Sequence, residues 1–294
     1  MRIFVMGGTG TIGSAVVREL LDRKHEVIGL ARSPSSAAAL QKLGALPLSG
    51  DIRWPERWLE HLPEVDGVVH AAADFADEMG EVETRLLDGL LPVLARMGSP
   101  RFVYTGGCWL YGSTGVAPAT EASGFNPLPA FAWMVPNLQR VLTAPEVTGL
   151  VVHPALVYDG RGGVLASFME QARNGGPVLV VGSEDVRWPL VHAEDLARLY
   201  ALVLERGTKG RAYNGAAVQA LPVGQIAMAI ARRIGGAGCA LQVISAEEAA
   251  AAHGEWARGY ALDQAMDSKL ALAELGWQPV HTDPIDDLRS LAVS

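Results

Sequence analysis

A glycine cluster near the start of the chain has the residue types and the spacing of a phosphate-binding loop. Residues 6–13 read MGGTGTIG and lie between a short apolar run at 3–6 and the first helical pattern. Glycine permits a tight turn and a close backbone approach to a pyrophosphate, and the following helix N-terminus supplies free N–H groups and a positive dipole. In this strand–loop–helix context the cluster predicts dinucleotide binding. The predicted contacts are Gly7, Gly10, Thr11, Ile12 and Gly13.

The end of the second predicted strand distinguishes between the two nicotinamide cofactors. Residues 29–33 read GLARS, without an Asp or Glu that would bind a ribose 2′-hydroxyl. Arg32 instead suits the 2′-phosphate of NADP, and the Ser33 hydroxyl adds a donor. The alternative is a solvated surface arginine. We therefore predict NADP as the cofactor, with NAD as the second choice.

Two further segments fit the same site. Residues 50–52 read GDI after the third strand, where Asp51 can accept a hydrogen bond from an adenine amino group and Ile52 follows it. Residues 70–73 read HAAA at the end of the fourth strand, where small side chains let the cofactor pass. The contacts predicted there are Ala71, Ala72 and Ala73.

The elements that position these residues alternate between short apolar runs and helical patterns, which predicts a parallel sheet with crossover helices. The predicted strands are 3–6, 27–30, 46–48, 65–70, 101–105 and 150–153; the predicted helices include 14–24, 35–43, 82–94, 218–234 and 247–253. The fold class is α/β, a Rossmann-type doubly wound parallel sheet with a smaller, interleaved C-terminal substrate lobe. Residues 1–157, with a returning segment at about 186–216, are predicted to bind NADP; residues 158–185 and 217–294 form the substrate-side lobe.

Composition excludes several classes of function. The net charge of −8 argues against bulk binding to nucleic acid or to anionic lipid. The two cysteines form no CxxC pair, so neither a disulfide framework nor a metal site is predicted. No apolar run reaches the length of a transmembrane helix, and the N-terminus lacks a signal peptide, so we expect a soluble, cytoplasmic protein. Residues 43–208 contain no lysine, which excludes a catalytic lysine there.

Further motifs show a resemblance to a known family. They are VVHAAA at 68–73, RFVYT at 101–105 followed by YG at 111–112, HPALVY at 153–158, WPLVHAEDLA at 188–197 and LGWQP at 275–279. Together with the glycine loop, they make the chain resemble the extended or atypical short-chain dehydrogenase/reductases, grouped as the NAD-dependent epimerase/dehydratase family. The resemblance covers essentially the whole chain. It implies further cofactor contacts at Thr105, Asn137, His153, Ala155 and Val157.

The chain departs from this family at its catalytic residues. Family members usually carry a Ser or Thr and a Tyr-x-x-x-Lys, in which tyrosine moves a proton and lysine lowers its pKa while holding the nicotinamide ribose. The corresponding positions here are Gly107, Trp133 and Asn137, and no tyrosine of the chain has a lysine four residues later. Pro136 predicts that the helix begins near Val135. Asn137 would retain a hydrogen bond to the ribose without the proton relay.

Other residues are candidates for the missing chemistry. Tyr111, in the active-site loop, is the first candidate for proton donor, and Thr105 could orient a carbonyl. Cys108 and His192 are more readily explained by packing and helix capping. Arg161 could hold an anionic substrate group, or be solvated. Five aromatic residues are predicted to face the substrate and to favour an apolar or planar one: Trp109, Phe131, Trp133, Trp188 and Trp256.

These observations predict an NADP-dependent oxidoreductase that transfers hydride between NADPH and a small carbonyl or enone, with the proton supplied by Tyr111 or by water. Three alternatives stay open: a nucleotide-sugar epimerase or dehydratase, a non-catalytic NADP(H)-binding sensor, and a non-redox isomerase or lyase on the same fold. The expected partner is a small-molecule substrate, and a homodimer is left open.

Overall fold

The computed structural model describes residues 1–73, 78–160 and 162–290. The strands are β1 (Arg2–Met6), β2 (Glu26–Ala31), β3 (Leu46–Ser49), β4 (Gly67–His70), β5 (Arg101–Thr105), β6 (Thr148–Pro154), β7 (Leu156–Tyr158), β8 (Val178–Val181), β9 (Arg187–His192), β10 (Ala212–Gly215), β11 (Val218–Pro222) and β12 (Leu241–Ile244). The α-helices are α1 (Thr11–Asp22), α2 (Pro34–Leu43), α3 (Met79–Ala95), α4 (Met134–Thr143), α5 (Ala166–Arg173), α6 (Ala193–Arg206), α7 (Val223–Ile230), α8 (Ala246–His253), α9 (Lys269–Leu275) and α10 (Pro284–Ser290).

The large sheet has the order β10-β6-β5-β4-β1-β2-β3, and its described neighbours are all parallel. Helices cover both faces, so alternate residues of one strand enter different cores. In β1, Ile3 and Val5 pack on the side of α1, whereas Phe4 and Met6 pack on the opposite side with α3. The predicted α/β, Rossmann-type doubly wound sheet is confirmed.

Strands beyond β6 form two smaller sheets. Strand β7 pairs in parallel with β9, which pairs antiparallel with β11, and β8 pairs in parallel with β12. Strand β10, in the predicted returning segment, joins the large sheet instead. The division of the chain into two lobes stays a prediction, because one hydrophobic cluster contains residues of both.

The predicted helix over 218–234 is wrong at its start and at its end. Val218 and Leu221 pair with β9, and α7 begins only after Pro222. A proline in a helix interior would remove a backbone donor, so this residue precedes the first helical turn. The last four residues of the predicted helix, together with Gly235, form a π-helical turn, Ala231–Gly235.

Helix α4 agrees with the prediction made from its proline. It begins at Met134, with Trp133 as its N-terminal cap, and Pro136 lies in the first turn. Among the described helices, none is both long enough and apolar enough to cross a lipid bilayer.

Candidate functional site

In the glycine loop between β1 and α1, neighbouring backbone atoms pack so tightly that two positions have no room for a side chain. Gly7 has φ +84°, and a Cβ there would lie 2.4 Å from the Ala71 carbonyl oxygen. A Cβ on Gly13 would lie 2.1 Å from the Gly7 carbonyl oxygen. No side chain caps α1 at Gly10, which leaves the amides of its first turn available to an anion. The loop therefore fits the pyrophosphate of a dinucleotide.

A cavity of about 400 Å³ opens at the carboxyl ends of the parallel strands. Its wall combines the glycine loop with the segments that follow β4, β5 and β6. Strand order reverses between β1 and β4, which is where doubly wound sheets bind ligands. The predicted cofactor residues that line this cavity are Gly10, Thr11, Ile12, Ala71, Ala72, Ala73, Thr105, Ala155 and Val157.

The residues predicted to choose between NAD and NADP follow β2 and β3, outside the cavity wall. Arg32 is exposed and has no ion-pair partner in the described part of the chain. The Ser33 hydroxyl accepts a hydrogen bond from the Ser36 amide and caps α2. Asp51 accepts a hydrogen bond from the Arg53 amide at 2.9 Å, and Ile52 is half-buried. Their contacts with a cofactor stay predictions.

Tyr111, the predicted proton donor, does not line the cavity. Its side chain is only 5% exposed, and its hydroxyl donates to Asn214 Oδ1 at 2.9 Å. Its ring lies against Phe125 and His153. Burial raises the pKa of Tyr111, and the structure gives its proton no path to a ligand in the cavity.

The three positions that carry catalytic residues in the family are not equivalent here. Gly107 and Trp133 line the cavity. A Cβ on Gly107 would meet nothing within 4 Å, whereas the Trp133 indole donates from Nε1 to the Ala130 carbonyl at 2.9 Å. Asn137 is buried outside the wall and donates from Nδ2 to the Trp133 carbonyl at 3.1 Å. Its contact with a ribose stays a prediction.

Thr105 lines the cavity, but its hydroxyl is already hydrogen-bonded on both sides. It donates to the His70 carbonyl at 2.6 Å and therefore accepts from the Tyr200 hydroxyl, also at 2.6 Å. Orienting a substrate carbonyl would require breaking the first of these bonds. The structure supports the alternative explanation, a strand-end hydroxyl satisfied by the protein.

His153 is also placed behind the wall. It is 1% exposed, and its Nδ1 accepts a hydrogen bond from the Gly107 amide at 3.3 Å. A Cβ on Gly106 would lie 2.3 Å from that nitrogen, so glycine is required there. Burial lowers the pKa of His153 to about 4, because the interior cannot solvate an imidazolium.

This buried imidazole predicts a loss of stability in acid. Between pH 6.5 and pH 4 the unfolded chain protonates this histidine while the folded protein keeps it neutral, so the unfolded state binds one more proton. The free energy of unfolding therefore falls as pH falls, by about 3 kcal/mol across that window. Urea denaturation at pH 7 and pH 4 should show a smaller difference for His153→Asn. Equal differences for the two proteins would contradict the assignment.

The substrate side of the cavity is aromatic. The rings of Trp109 and Phe131 lie 5.0 Å apart, and Tyr260 meets Trp109 edge-on at 5.3 Å and Trp256 at 5.8 Å. Trp109 also packs on Gly259, where a Cβ would lie 2.6 Å from the indole. Four of the five predicted aromatic residues line the cavity: Trp109, Phe131, Trp133 and Trp256.

Trp188, the fifth predicted aromatic residue, does not form part of this wall. Trp188 is 2% exposed, stacks on Phe168 at 5.8 Å and donates from Nε1 to the Tyr260 carbonyl. It therefore supports Tyr260 from behind. Arg161 lies outside the described residues, and its role stays a prediction.

Four polar residues of the cavity wall were not predicted as site residues: His70, Glu83, Tyr104 and Tyr260. Glu83 had a readable signal, because a carboxylate there interrupts the apolar face that Leu86, Leu87 and Leu90 share on α3. Tyr260 had none, since only the tertiary fold brings its segment to the cavity.

Two residues have the structural roles that the sequence favoured. Burial raises the pKa of the Cys108 thiol to about 12, so it is not a ready nucleophile. His192 caps α6 by accepting a hydrogen bond from the Glu194 amide. Its ring stacks on His281 at 3.9 Å, so the in-plane lone pairs of the two imidazoles do not converge on one point. The His192–Glu194–His281 cluster, in which three donors lie close together, is therefore poorly arranged for a metal.

Comparisons with known proteins agree with this architecture. An uncharacterized protein of Schizosaccharomyces pombe is 31% identical over 296 residues, which is 99% of each chain. The NAD(P)H azoreductase of Xenophilus azovorans is 27% identical over 235 residues, 79% of this chain and 74% of that one. The structure of DesIV, a dTDP-glucose 4,6-dehydratase from Streptomyces venezuelae with NAD and TYD bound, superposes with a TM-score of 0.82 at 22% identity, covering 99% of this chain and 96% of that one.

The family model gives the assignment. The model described as the NAD dependent epimerase/dehydratase family matches residues 3–216, a span that runs from β1 past β10 and includes most of the cavity wall. With a glycine loop that fits a dinucleotide and a doubly wound parallel sheet, the chain belongs to the NAD dependent epimerase/dehydratase family.

Proposed function

We propose that this protein is an NADP-dependent oxidoreductase that transfers hydride between NADPH and a small, apolar or planar carbonyl or enone. The observation that carries the proposal is one cavity lined on one side by the glycine loop and on the other by aromatic rings. Such a cavity can hold a nicotinamide and an apolar substrate against each other.

The chain's own residues would hold the cofactor at three places. The amides at the start of α1 bind the pyrophosphate. The small side chains of the three alanines after β4 leave room for the cofactor along the cavity wall, and Arg32 binds the 2′-phosphate. When bound, the reduced cofactor supplies the hydride. The aromatic wall excludes water from the reacting carbonyl.

The aromatic wall also bears on the substrate class. A nucleotide-sugar presents many hydroxyl and phosphate groups that need polar partners, whereas this wall is mostly carbon. Trp133 stands where the family's tyrosine base is expected, and the Tyr-x-x-x-Lys motif is absent from the sequence. Both observations disfavour the epimerase and dehydratase alternative.

Tyr260 replaces Tyr111 as the proposed proton donor. Its hydroxyl makes no hydrogen bond to any described residue, whereas the other tyrosine of the cavity wall, Tyr104, donates to Glu83. Burial raises the pKa of Tyr260, so it is protonated at neutral pH. As hydride adds to the carbonyl carbon, its proton passes to the oxygen and the tyrosinate recovers a proton from water. In an enone, hydride adds to the β-carbon and the same proton neutralises the enolate.

A turnover panel tests the proposal. NADPH consumption would be followed with aldehydes, ketones, enones and an aromatic azo compound, the last chosen because of the azoreductase relative. Consumption with an apolar member supports the proposal. Tight NADPH binding without consumption by any member would favour the sensor, and thermal protection by a nucleotide-sugar would favour the epimerase.

The predicted preference for NADPH over NADH depends on Arg32. We expect Arg32→Glu to weaken NADPH binding by about 10- to 100-fold, the value of one or two charge-assisted hydrogen bonds, and to change NADH binding much less. Fluorescence titration with both cofactors measures this. Arg206→Glu, which reverses an exposed charge at the end of α6, is the control. Equal losses for NADPH and NADH would contradict a 2′-phosphate contact.

A further inference from the structure

A buried carboxylate lies in the wall of the proposed nicotinamide cavity. Glu83 is 1% exposed, although it belongs to α3 and could have faced solvent one position away. Its Oε1 lies 2.7 Å from His70 Nε2, and its Oε2 accepts a hydrogen bond from the Tyr104 hydroxyl at 3.1 Å. His70 and Tyr104 are each 2% exposed and also line the cavity.

The hydrogen bonds determine the charge of this cluster. The Ala72 amide donates to His70 Nδ1 at 3.4 Å, so that nitrogen carries no proton and Nε2–H donates to Glu83. His70 and Tyr104 are then both donors, and Glu83 accepts one hydrogen bond through each oxygen, which is the pattern of a carboxylate. Burial and the Glu83 charge hold the pKa of Tyr104 well above its usual value, which keeps this phenol neutral. The cluster carries one net negative charge.

Among the described residues of the cavity wall, no cationic side chain compensates this charge. The described residues of the wall include neither arginine nor lysine. A buried carboxylate without a cationic partner is costly, and an apolar side chain of similar volume would pack there without that cost. Two hydrogen bonds satisfy the oxygens of Glu83 but leave its charge unpaired, so the unpaired charge is available to a cation in the cavity.

We propose that Glu83, held by His70 and Tyr104, stabilises the positively charged, oxidised nicotinamide over the neutral, reduced ring. This inference rests on the proposed function, because it takes the cavity to hold a nicotinamide. A carboxylate fixed beforehand in the cavity would stabilise the positively charged ring without reorganisation, whereas the neutral, reduced ring would gain little from it. His70 and Tyr104 are positioning residues in this arrangement.

The expected size of the effect follows from the cavity dimensions. At an effective dielectric constant of about 20, one charge acting across a cavity of about 400 Å³ shifts a binding equilibrium by roughly tenfold. The shift applies to the oxidised cofactor only, since the reduced ring is neutral.

Dissociation constants of NADP⁺ and NADPH, measured by calorimetry, test the proposal without turnover. Glu83→Gln keeps the shape and an oxygen for the His70 bond, and we expect its NADP⁺-to-NADPH ratio of dissociation constants to rise about tenfold. Tyr104→Phe keeps the carboxylate but removes one of the two hydrogen bonds that hold it, so we expect its ratio to rise less than that of Glu83→Gln. Glu121→Gln is the matched control, because this carboxylate accepts from the Asn214 amide outside the cavity. If the glutamine variant does not fold, Glu83→Met allows the same comparison.

The outcomes separate the two proposals. A wild-type protein that binds neither cofactor overturns the proposed function and this inference together. A protein that binds both cofactors, with the same ratio in the wild type and in the Glu83 variant, overturns the inference alone. A ratio that rises equally in Glu121→Gln would also overturn it, because the effect would then be a general one of net charge.

Discussion

Replacing Tyr260 with phenylalanine is expected to lower the turnover of a carbonyl substrate by about 10²- to 10³-fold, the usual contribution of a positioned proton donor. The substitution removes one oxygen and leaves the ring against Trp109 and Trp256 in place. The aromatic wall should therefore persist, and KM should change little. Steady-state kinetics with NADPH and one apolar carbonyl measure both constants.

Tyr111→Phe is the matched control for this experiment. Its hydroxyl bonds Asn214 outside the cavity, so its loss should cost about 1 kcal/mol of stability and leave turnover almost unchanged. The opposite pattern, with turnover lost in Tyr111→Phe and kept in Tyr260→Phe, would remove Tyr260 from the mechanism. For an enone, water can protonate the enolate, so the loss in Tyr260→Phe should be smaller.

Two alanine substitutions in the glycine loop, Gly10→Ala and Gly13→Ala, are expected to have large effects on cofactor binding. They differ in the atoms that the new methyl group would contact. In Gly10→Ala the Cβ would lie 3.5 Å from the Gly7 carbonyl oxygen, an ordinary contact, and the backbone φ of −78° suits alanine. The protein should fold with an unchanged melting temperature. Gly10 lines the cavity, so the added methyl group should weaken cofactor binding about 100-fold, because the pyrophosphate would lose its close approach to the amides.

Gly13→Ala should behave differently, because its Cβ would lie 2.1 Å from the Gly7 carbonyl oxygen. The backbone must move, and we expect a loss of about 2–4 kcal/mol of stability together with the loss of binding. Thermal denaturation and cofactor titration of both variants separate the two effects. A Gly10→Ala protein that binds NADPH normally would show that the cofactor does not pass over this loop.

The framework of the fold could be predicted because its signals are local. The apolar run at β1, the glycines after it and the amphipathic α1 lie within about twenty residues, and β5 was predicted with its observed bounds. The error at β11 has a physical cause. The segment 218–222 is short and mostly apolar, and it could form either a helix or a strand. It forms a strand because it pairs with β9, which lies some thirty residues earlier in the chain.

Several residues predicted to bind the cofactor line the cavity, whereas the predicted proton donor does not. Thr105 and Trp133 lie on the cavity wall as expected, but Tyr111, although near them in sequence, faces away into a buried hydrogen bond. Tyr260 occupies the wall although it lies about 150 residues later. Sequence distance from the active-site loop was therefore a poor guide to which tyrosine lines the cavity.

The sequence by itself determined that this chain folds as a doubly wound sheet with a glycine loop after its first strand, and that it contains no Tyr-x-x-x-Lys motif. Those properties depend on neighbouring residues: on glycine spacing, on apolar periodicity and on a lysine-free interval over 43–208. Only the tertiary structure decided which polar groups meet in the cavity, namely the uncommitted hydroxyl of Tyr260 and the buried carboxylate of Glu83. The physical reason is that burial and hydrogen-bond partners, which set the charge and availability of each group, come from strands and helices far apart in the chain.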